Sequence, residues 1–218
     1  MRESENKQTQ HTRPRISRAT TQRLTEYLIV LEELAEAGID LVSSRELARH
    51  YGNTASQVRQ DIFRLQHSGR TGRGYNVHEL QTTIRDNLGL NNSYNVAIVG
   101  CGRLGTTLAL HVPLAEYGMR LAAAFDVNPE LIGQPLAELF IQDAADMIKV
   151  CRDKHIKLAA LSVPKQAAQA STDKLVIAGV RGILNYTRVR LRVPADVHVE
   201  NRQIICSFMQ LCSDVTTR

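Results

Sequence analysis

Leu24, Leu28, Leu31 and Leu34 recur every three or four positions in a segment otherwise rich in polar side chains. That spacing puts them on one helical face and predicts a helix from about Ser17 to Ala37, stopped by Gly38. Ser43 followed by Glu46 is a capping-box signature opening a short helix, which Gly52-Asn53 breaks. Thr54 with Gln57 repeats the signature and opens a helix from Ala55 to Gln66, ended by Gly69. Its Val58, Ile62 and Leu65 face inward, leaving Ser56, Gln57, Arg59, Gln60, Phe63 and Arg64 to other faces. Helix, tight turn, short polar helix is the helix-turn-helix pattern. Arg70-Thr71-Gly72-Arg73-Gly74-Tyr75 then reads as a tight hairpin with exposed charges, a "wing". A helix from Val77 to Leu88, with Gly89 at its end, links this half to the next.

The period then changes. Asn95–Val99 is a short apolar strand, and Gly100-Cys101-Gly102-Arg103-Leu104-Gly105 follows directly, leading into a helical stretch to Tyr117. Further strands are expected at Arg120–Asp126, Leu158–Val163, Gly182–Tyr186 and Val197–Glu200, with a helix at Gln166–Ala178. Strands alternating with helices predict a parallel sheet covered on both faces. Pro135 to Lys157 has no clear period. Ile204, Ile205, Phe208, Leu211, Cys212 and Val215 form the apolar stripe of a terminal amphipathic helix, which needs a surface to cover.

The boundaries that follow are a polar tail at 1–13, a winged-helix domain at 14–76, a linker helix at 77–90, a Rossmann-like doubly wound domain at 91–201 and a C-terminal helix at 202–218. The chain is of the α/β class. Its 218 residues, 43% of them hydrophobic, suffice for two ordinary cores. Charge sharpens the reading of the first half more than the net value of +5 does. A basic block (Arg2, Lys7, Arg13, Arg15, Arg18, Arg23) precedes an acidic helix, and a second arginine-rich block runs from Ser43 to Tyr75. Brought together, the two blocks would make one positive face. The four cysteines form no CxxC pair and accompany no histidine cluster, so a zinc site and a disulfide framework are both disfavoured. With no apolar signal core and no membrane-length apolar run, the protein is expected in the cytoplasm.

The glycine loop carries the most specific chemistry. Gly100 permits the turn after the strand, Gly102 lets the backbone approach a pyrophosphate, and Gly105 lets the helix pack on the sheet. Phosphates would sit at the helix N-terminus. Asp126, about 20 residues on at the end of the next strand, can accept hydrogen bonds from a ribose diol and favours NAD over NADP. On the short polar helix, Arg59, Arg64 and Gln60 are side chains suited to reading base edges. Arg15, Arg18, Arg70 and Arg73 are suited to phosphates. Asp61 on the same helix would oppose phosphate and is read as the partner of a nearby arginine.

From about Ile16 onward the chain resembles the Rex family of bacterial redox-sensing repressors. The resemblance rests on Val42-Ser43-Ser44, Glu46-Leu47, Gln57-Val58-Arg59, Gly74-Tyr75, Val96 to Gly105, Phe125-Asp126-Val127, Val163-Pro164, Gly182-Ile183-Leu184-Asn185, Val193-Pro194 and Glu200-Asn201, in that order and spacing. It implies a homodimer on palindromic operator DNA, NAD(H) in the Rossmann-like domain, and a C-terminal helix exchanged between subunits. It extends the DNA-binding set to Ser56 and Gln57, and the cofactor set to Arg103, Leu104, Val127, Val163, Pro164 and Asn185.

Departures from the family pattern concentrate at the two functional ends. Gln60 stands where the family has Lys, Arg64-Leu65-Gln66 where it has Tyr-Phe-Gly, and Thr71 where it has the wing Arg. At the nicotinamide end, His111 replaces a Tyr, Asn185-Tyr186-Thr187-Arg188 replaces Asn-Phe-Ala-Pro, and Gln203-Ile204 replaces Asp-Phe. An alternative is therefore a divergent relative that binds DNA without telling NADH from NAD⁺. A small NAD-dependent oxidoreductase is a remoter one, because no His–carboxylate or Tyr–Lys constellation accompanies the loop. A module whose winged helix meets protein would differ from a DNA binder in its salt response.

Overall fold

The computed structural model describes residues 16–67, 69 and 74–216. The tail at 1–13, Arg15, Arg70, Thr71 and Arg73 lie outside the described residues. The chain divides into two compact units, Met1–Asn91 and Asn92–Arg218.

In the first unit, helix α1 (Arg18–Glu36) starts where the Ser17 hydroxyl accepts the Thr20 N–H. It buries Leu24, Tyr27, Leu28, Val30 and Leu31. Strand β1 (Leu41–Val42) leads to α2 (Ser44–His50), where both bonds of the expected Ser43/Glu46 capping box form. Helix α3 (Ala55–Arg64) follows, then β2 (Tyr75–Asn76) and α4 (Val77–Leu88).

Three details differ from the sequence reading. The second capping box is only half made: Thr54 accepts the Gln57 N–H, but the Gln57 side chain turns to Asp61 instead. The wing strand β2 pairs antiparallel with β1, whose two residues give too short a run for any period to show. The segment Val77–Leu88, expected as a link between halves, packs along α1 inside the first unit and buries Val77, Leu80 and Ile84. Gly74 is required where it stands: its φ is +84°, and a Cβ would collide with the Val42 carbonyl.

The second unit is a parallel sheet of β3 (Tyr94–Val99), β4 (Met119–Asp126), β7 (Gln142–Asp143), β8 (Leu158–Leu161), β9 (Gly182–Asn185) and β10 (His198–Asn201). The spatial order is β10-β9-β8-β3-β4-β7. Chain order reverses direction between β3 and β8, which is the switch point of a doubly wound sheet. Successive residues of β3 point to opposite faces. Ala97 and Val99 join the core under α6 (Met147–Asp153) and α7 (Ala168–Ala178), while Ile98 joins the core under α5 (Arg103–His111). A short hairpin, β5 (Pro135–Leu136) with β6 (Leu139–Phe140), occupies part of the stretch that lacked a period.

The helix expected to reach Tyr117 ends at His111. Pro113 has no N–H to donate and drives Val112 into an extended conformation (φ −83°, ψ 121°), so only a 3₁₀ turn, Leu114–Tyr117, continues. Helix α8 (Ile204–Thr216) buries none of its residues, and Ile204, Phe208, Leu211 and Val215 are all exposed. Among the described residues no helix is long and apolar enough to cross a membrane, no group of side chains is placed to hold a metal, and all four cysteines are free.

Candidate functional site

The glycine loop stands at the carboxyl end of β3, between β4 and β8. Gly100 adopts φ +91°, donates its N–H to the Phe125 carbonyl at 2.8 Å, and has room for no side chain: a Cβ would lie 2.7 Å from the Ser162 carbonyl oxygen. The Ser162 hydroxyl donates to the Gly100 carbonyl at 2.8 Å, tying the loop to the end of β8. A Cβ on Gly105 would collide with that same Gly100 carbonyl, so the first turn of α5 rests directly on the loop. Gly102 is different. Its φ is −68° and a Cβ there would meet nothing within 4 Å, so its glycine leaves open space above the backbone. No side chain caps α5, and its first N–H groups point where an anion is stabilised.

Asp126 is fixed against this loop. One carboxylate oxygen accepts the Cys101 N–H at 2.7 Å; the other accepts the N–H groups of Val127 at 2.8 Å and Asn128 at 2.9 Å. The oxygen bonded to Cys101 keeps a second lone pair, so the group can still receive a hydroxyl donor. Arg103, Leu104, Val127 and Pro164 are exposed and Val163 is half-buried, so these expected contacts line accessible surface. The Cys101 thiol is pushed up to about 12 by burial and by the Asp126 charge, so it stays neutral and is no nucleophile.

Asn185 requires a correction. It is fully buried; its amide N–H₂ donates to the Val189 carbonyl and to Asn201 Oδ1, and its Oδ1 accepts the N–H and hydroxyl of Thr187. Every polar atom of the side chain is spent holding the loop after β9 to β10, and none is left for a cofactor. His111 ends α5 in an exposed position, Gln203 is half-buried and Ile204 opens α8 exposed.

Helix α3 carries the second candidate surface. Asp61 is fully buried at its centre. The Arg23 guanidinium grips it with two bonds, Nε at 2.6 Å and Nη2 at 2.8 Å, and Arg64 (3.0 Å), Gln57 (3.1 Å) and the Tyr27 hydroxyl (3.3 Å) also donate to it. Burial alone would raise this carboxyl; the hydrogen bonds and charge of Arg23, with Gln57 and Tyr27, hold it below its ordinary value. Gln57 and Arg64, expected to meet DNA, are thus engaged within the unit. Arg59 reaches Ser44 Oγ at 3.2 Å, linking α3 to α2.

Ser56, Arg59, Gln60 and Phe63 are exposed and spaced i, i+3, i+4 and i+7 on one face of α3, and Arg64 keeps its side chain 53% exposed beside them. Phe63 is 80% exposed and was not among the expected site residues. Its position in that same spacing was the signal. Arg18, at the start of α1, is also exposed.

A family model described as "CoA binding domain" matches residues 91–189, and one described as "Putative DNA-binding protein N-terminus" matches residues 15–62. The chain is 39% identical over 186 residues to the redox-sensing transcriptional repressor Rex of Clostridium botulinum (strain Eklund 17B / Type B), covering 85% of this chain and 89% of that one. It is 37% identical over 188 residues to the Rex of Syntrophobacter fumaroxidans, covering 86% and 90%. Among solved structures it is similar to RSP, a Rex-family repressor, in a complex with β-NAD⁺ and operator DNA (TM-score 0.86, 35% identity, 93% of each chain). The RSP complex with β-NADH is similar too (TM-score 0.85, 35% identity, 93% of this chain and 95% of that one). Similarity of this kind over 85–93% of the chain, spanning both units, places the chain in the Rex family of redox-sensing transcriptional repressors.

Proposed function

We propose that the protein is a homodimeric transcriptional repressor that binds operator DNA through its first unit and responds to NAD(H) bound in its second. It is a regulator and not an enzyme, as its family is, and it acts in the cytoplasm. The observation that carries the reading is the open backbone at Gly102 above an uncapped helix start, with the Asp126 carboxylate locked beside it. Gly100, Gly102 and Gly105 would shape the pyrophosphate cradle, Arg103 and Leu104 would flank it, and Asp126 would take the adenosine ribose. Val127, Val163 and Pro164 supply accessible apolar surface around it.

On DNA, Ser56, Arg59, Gln60 and Phe63 would enter the major groove, with Arg18 and the wing arginines Arg70 and Arg73, together with Arg15, at phosphates. Gln57 and Arg64 act instead by fixing α3 through Asp61. The wholly exposed apolar stripe of α8 supports a helix exchanged between two subunits.

A second reading, a relative that binds the nucleotide without preferring NADH, is favoured by the residues at the nicotinamide end. Asn185 is spent, and His111, Gln203 and Ile204 depart from the family. Calorimetric titration of the dimer with NADH and with NAD⁺ separately decides. NADH binding more than about tenfold tighter (~1.4 kcal/mol) supports redox sensing. Equal affinities support the second reading, and no binding of either sinks the nucleotide assignment.

A further inference from the structure

Between β9 and β10 the chain runs extended, and its side chains alternate. Val189, Leu191 and Val193 pack against the sheet core, whereas Arg188, Arg190 and Arg192 are exposed. Period-two alternation therefore sends all of these guanidinium groups outward on one side. Among the described residues none of the three guanidinium groups has a hydrogen-bond or ion-pair partner, although the Arg192 backbone bonds Gln169; by contrast the Arg181 guanidinium pairs with Asp196 at 3.0 Å. Arg188 and Arg190 line a cleft of about 470 Å³ whose other wall is the β10–α8 junction, with Arg202, Gln203 and Ser207. No carboxylate lines it. Glu200 offsets part of one charge through Arg202, at 3.5 Å, and leaves the other two arginines uncompensated.

Like charges held side by side at the carboxyl end of a parallel sheet repel one another unless an anion joins them. Guanidinium groups match phosphate oxygens in pairs, and the cleft is of small-ligand size. We infer that this cleft is a binding site for a small phosphate-bearing ligand, held by Arg188, Arg190 and Arg202. It is separate from the glycine loop: β9 lies beyond β8 from β3, about 10 Å across the sheet. Arg188, Gln203 and Ile204 also stand at the nicotinamide end of the family pattern, so the test includes a variant that closes the glycine loop.

The test is calorimetric titration of the intact protein with inorganic pyrophosphate at about 0.15 M salt. Three proteins are compared: wild type, Arg188→Gln/Arg190→Gln, and Gly102→Asp, which closes the glycine loop. The expected result is saturable binding to wild type and to Gly102→Asp, weakened at least about tenfold in the double variant. Thermal unfolding of the double variant should match wild type, because both side chains are exposed and unpaired. The inference is overturned if wild type binds no pyrophosphate, if the double variant binds as well as wild type, or if Gly102→Asp alone abolishes binding. Tighter binding of citrate than of pyrophosphate overturns the phosphate assignment. Failure of NADH to bind wild type would count against the proposed function and leave this result untouched.

Discussion

Arg23 and Asp61 form a two-bond ion pair, 2.6 and 2.8 Å, that joins α1 to the middle of helix α3 across 38 residues of chain. Asp61 is fully buried, while the Arg23 side chain keeps 21% exposure. Removing Arg23 leaves a buried carboxylate short of its main partner. Arg23→Ala should cost about 3 kcal/mol of stability in the first unit, measured by urea unfolding.

The same pair sets an acid dependence. Asp61 is held below the usual value of 3.8 in the folded protein, so at low pH the unfolded chain binds more protons than the folded one. The stabilisation is complete above that usual value and disappears as pH falls through the lower folded one. Urea midpoints should therefore fall between about pH 5 and pH 2. In Asp61→Asn this component of the fall should be absent.

Phe63 offers a large apolar side chain to solvent on the face where Arg59 and Gln60 stand. Phe63→Ala should leave thermal stability nearly unchanged and weaken operator binding by about 1 kcal/mol or more, through lost contact with thymine methyl groups. Because no charge changes, the slope of affinity against salt should stay as in wild type. An altered slope would place Phe63 outside the groove.

Gln66 ends α3 in a left-handed conformation, φ +58°, at the position where the Rex family pattern has glycine. Its own N–H closes the turn on the Phe63 carbonyl at 2.9 Å. Gln66→Gly relieves the conformational cost and should stabilise the first unit by about 0.5–1 kcal/mol. An unchanged or lower melting temperature would show that the left-handed turn costs this residue little.

The loop glycines should separate by role. Gly105→Ala forces a Cβ into the Gly100 carbonyl and should lower stability by at least about 1–3 kcal/mol. Gly102→Asp meets no steric obstacle, so it should fold normally and lose NADH binding by about a hundredfold, since a carboxylate then occupies the anion cradle. A Gly102→Asp protein that still bound NADH with wild-type affinity would remove the loop from the nucleotide site.

The sequence by itself determined most elements, because each rests on local physics. The Ser43–Glu46 box, the β3 run Val96–Val99 and the glycine loop each depend on neighbours a few residues away. Asp61 as an arginine's partner was legible too, since a carboxylate on a helix proposed to meet phosphates needs a reason to be there. Tertiary structure alone decided which arginine: Arg23 lies far off in the chain, and only the packing of α1 on α3 brings it to Asp61. It likewise decided that Gln57 and Arg64 serve that carboxylate, that β1 exists as the partner of β2, and that Asn185 is consumed by Val189 and Asn201. Side-chain hydrogen bonds between distant segments leave no period in the sequence. A polar residue's type shows what it can bond to, and only the fold shows which partner reaches it first.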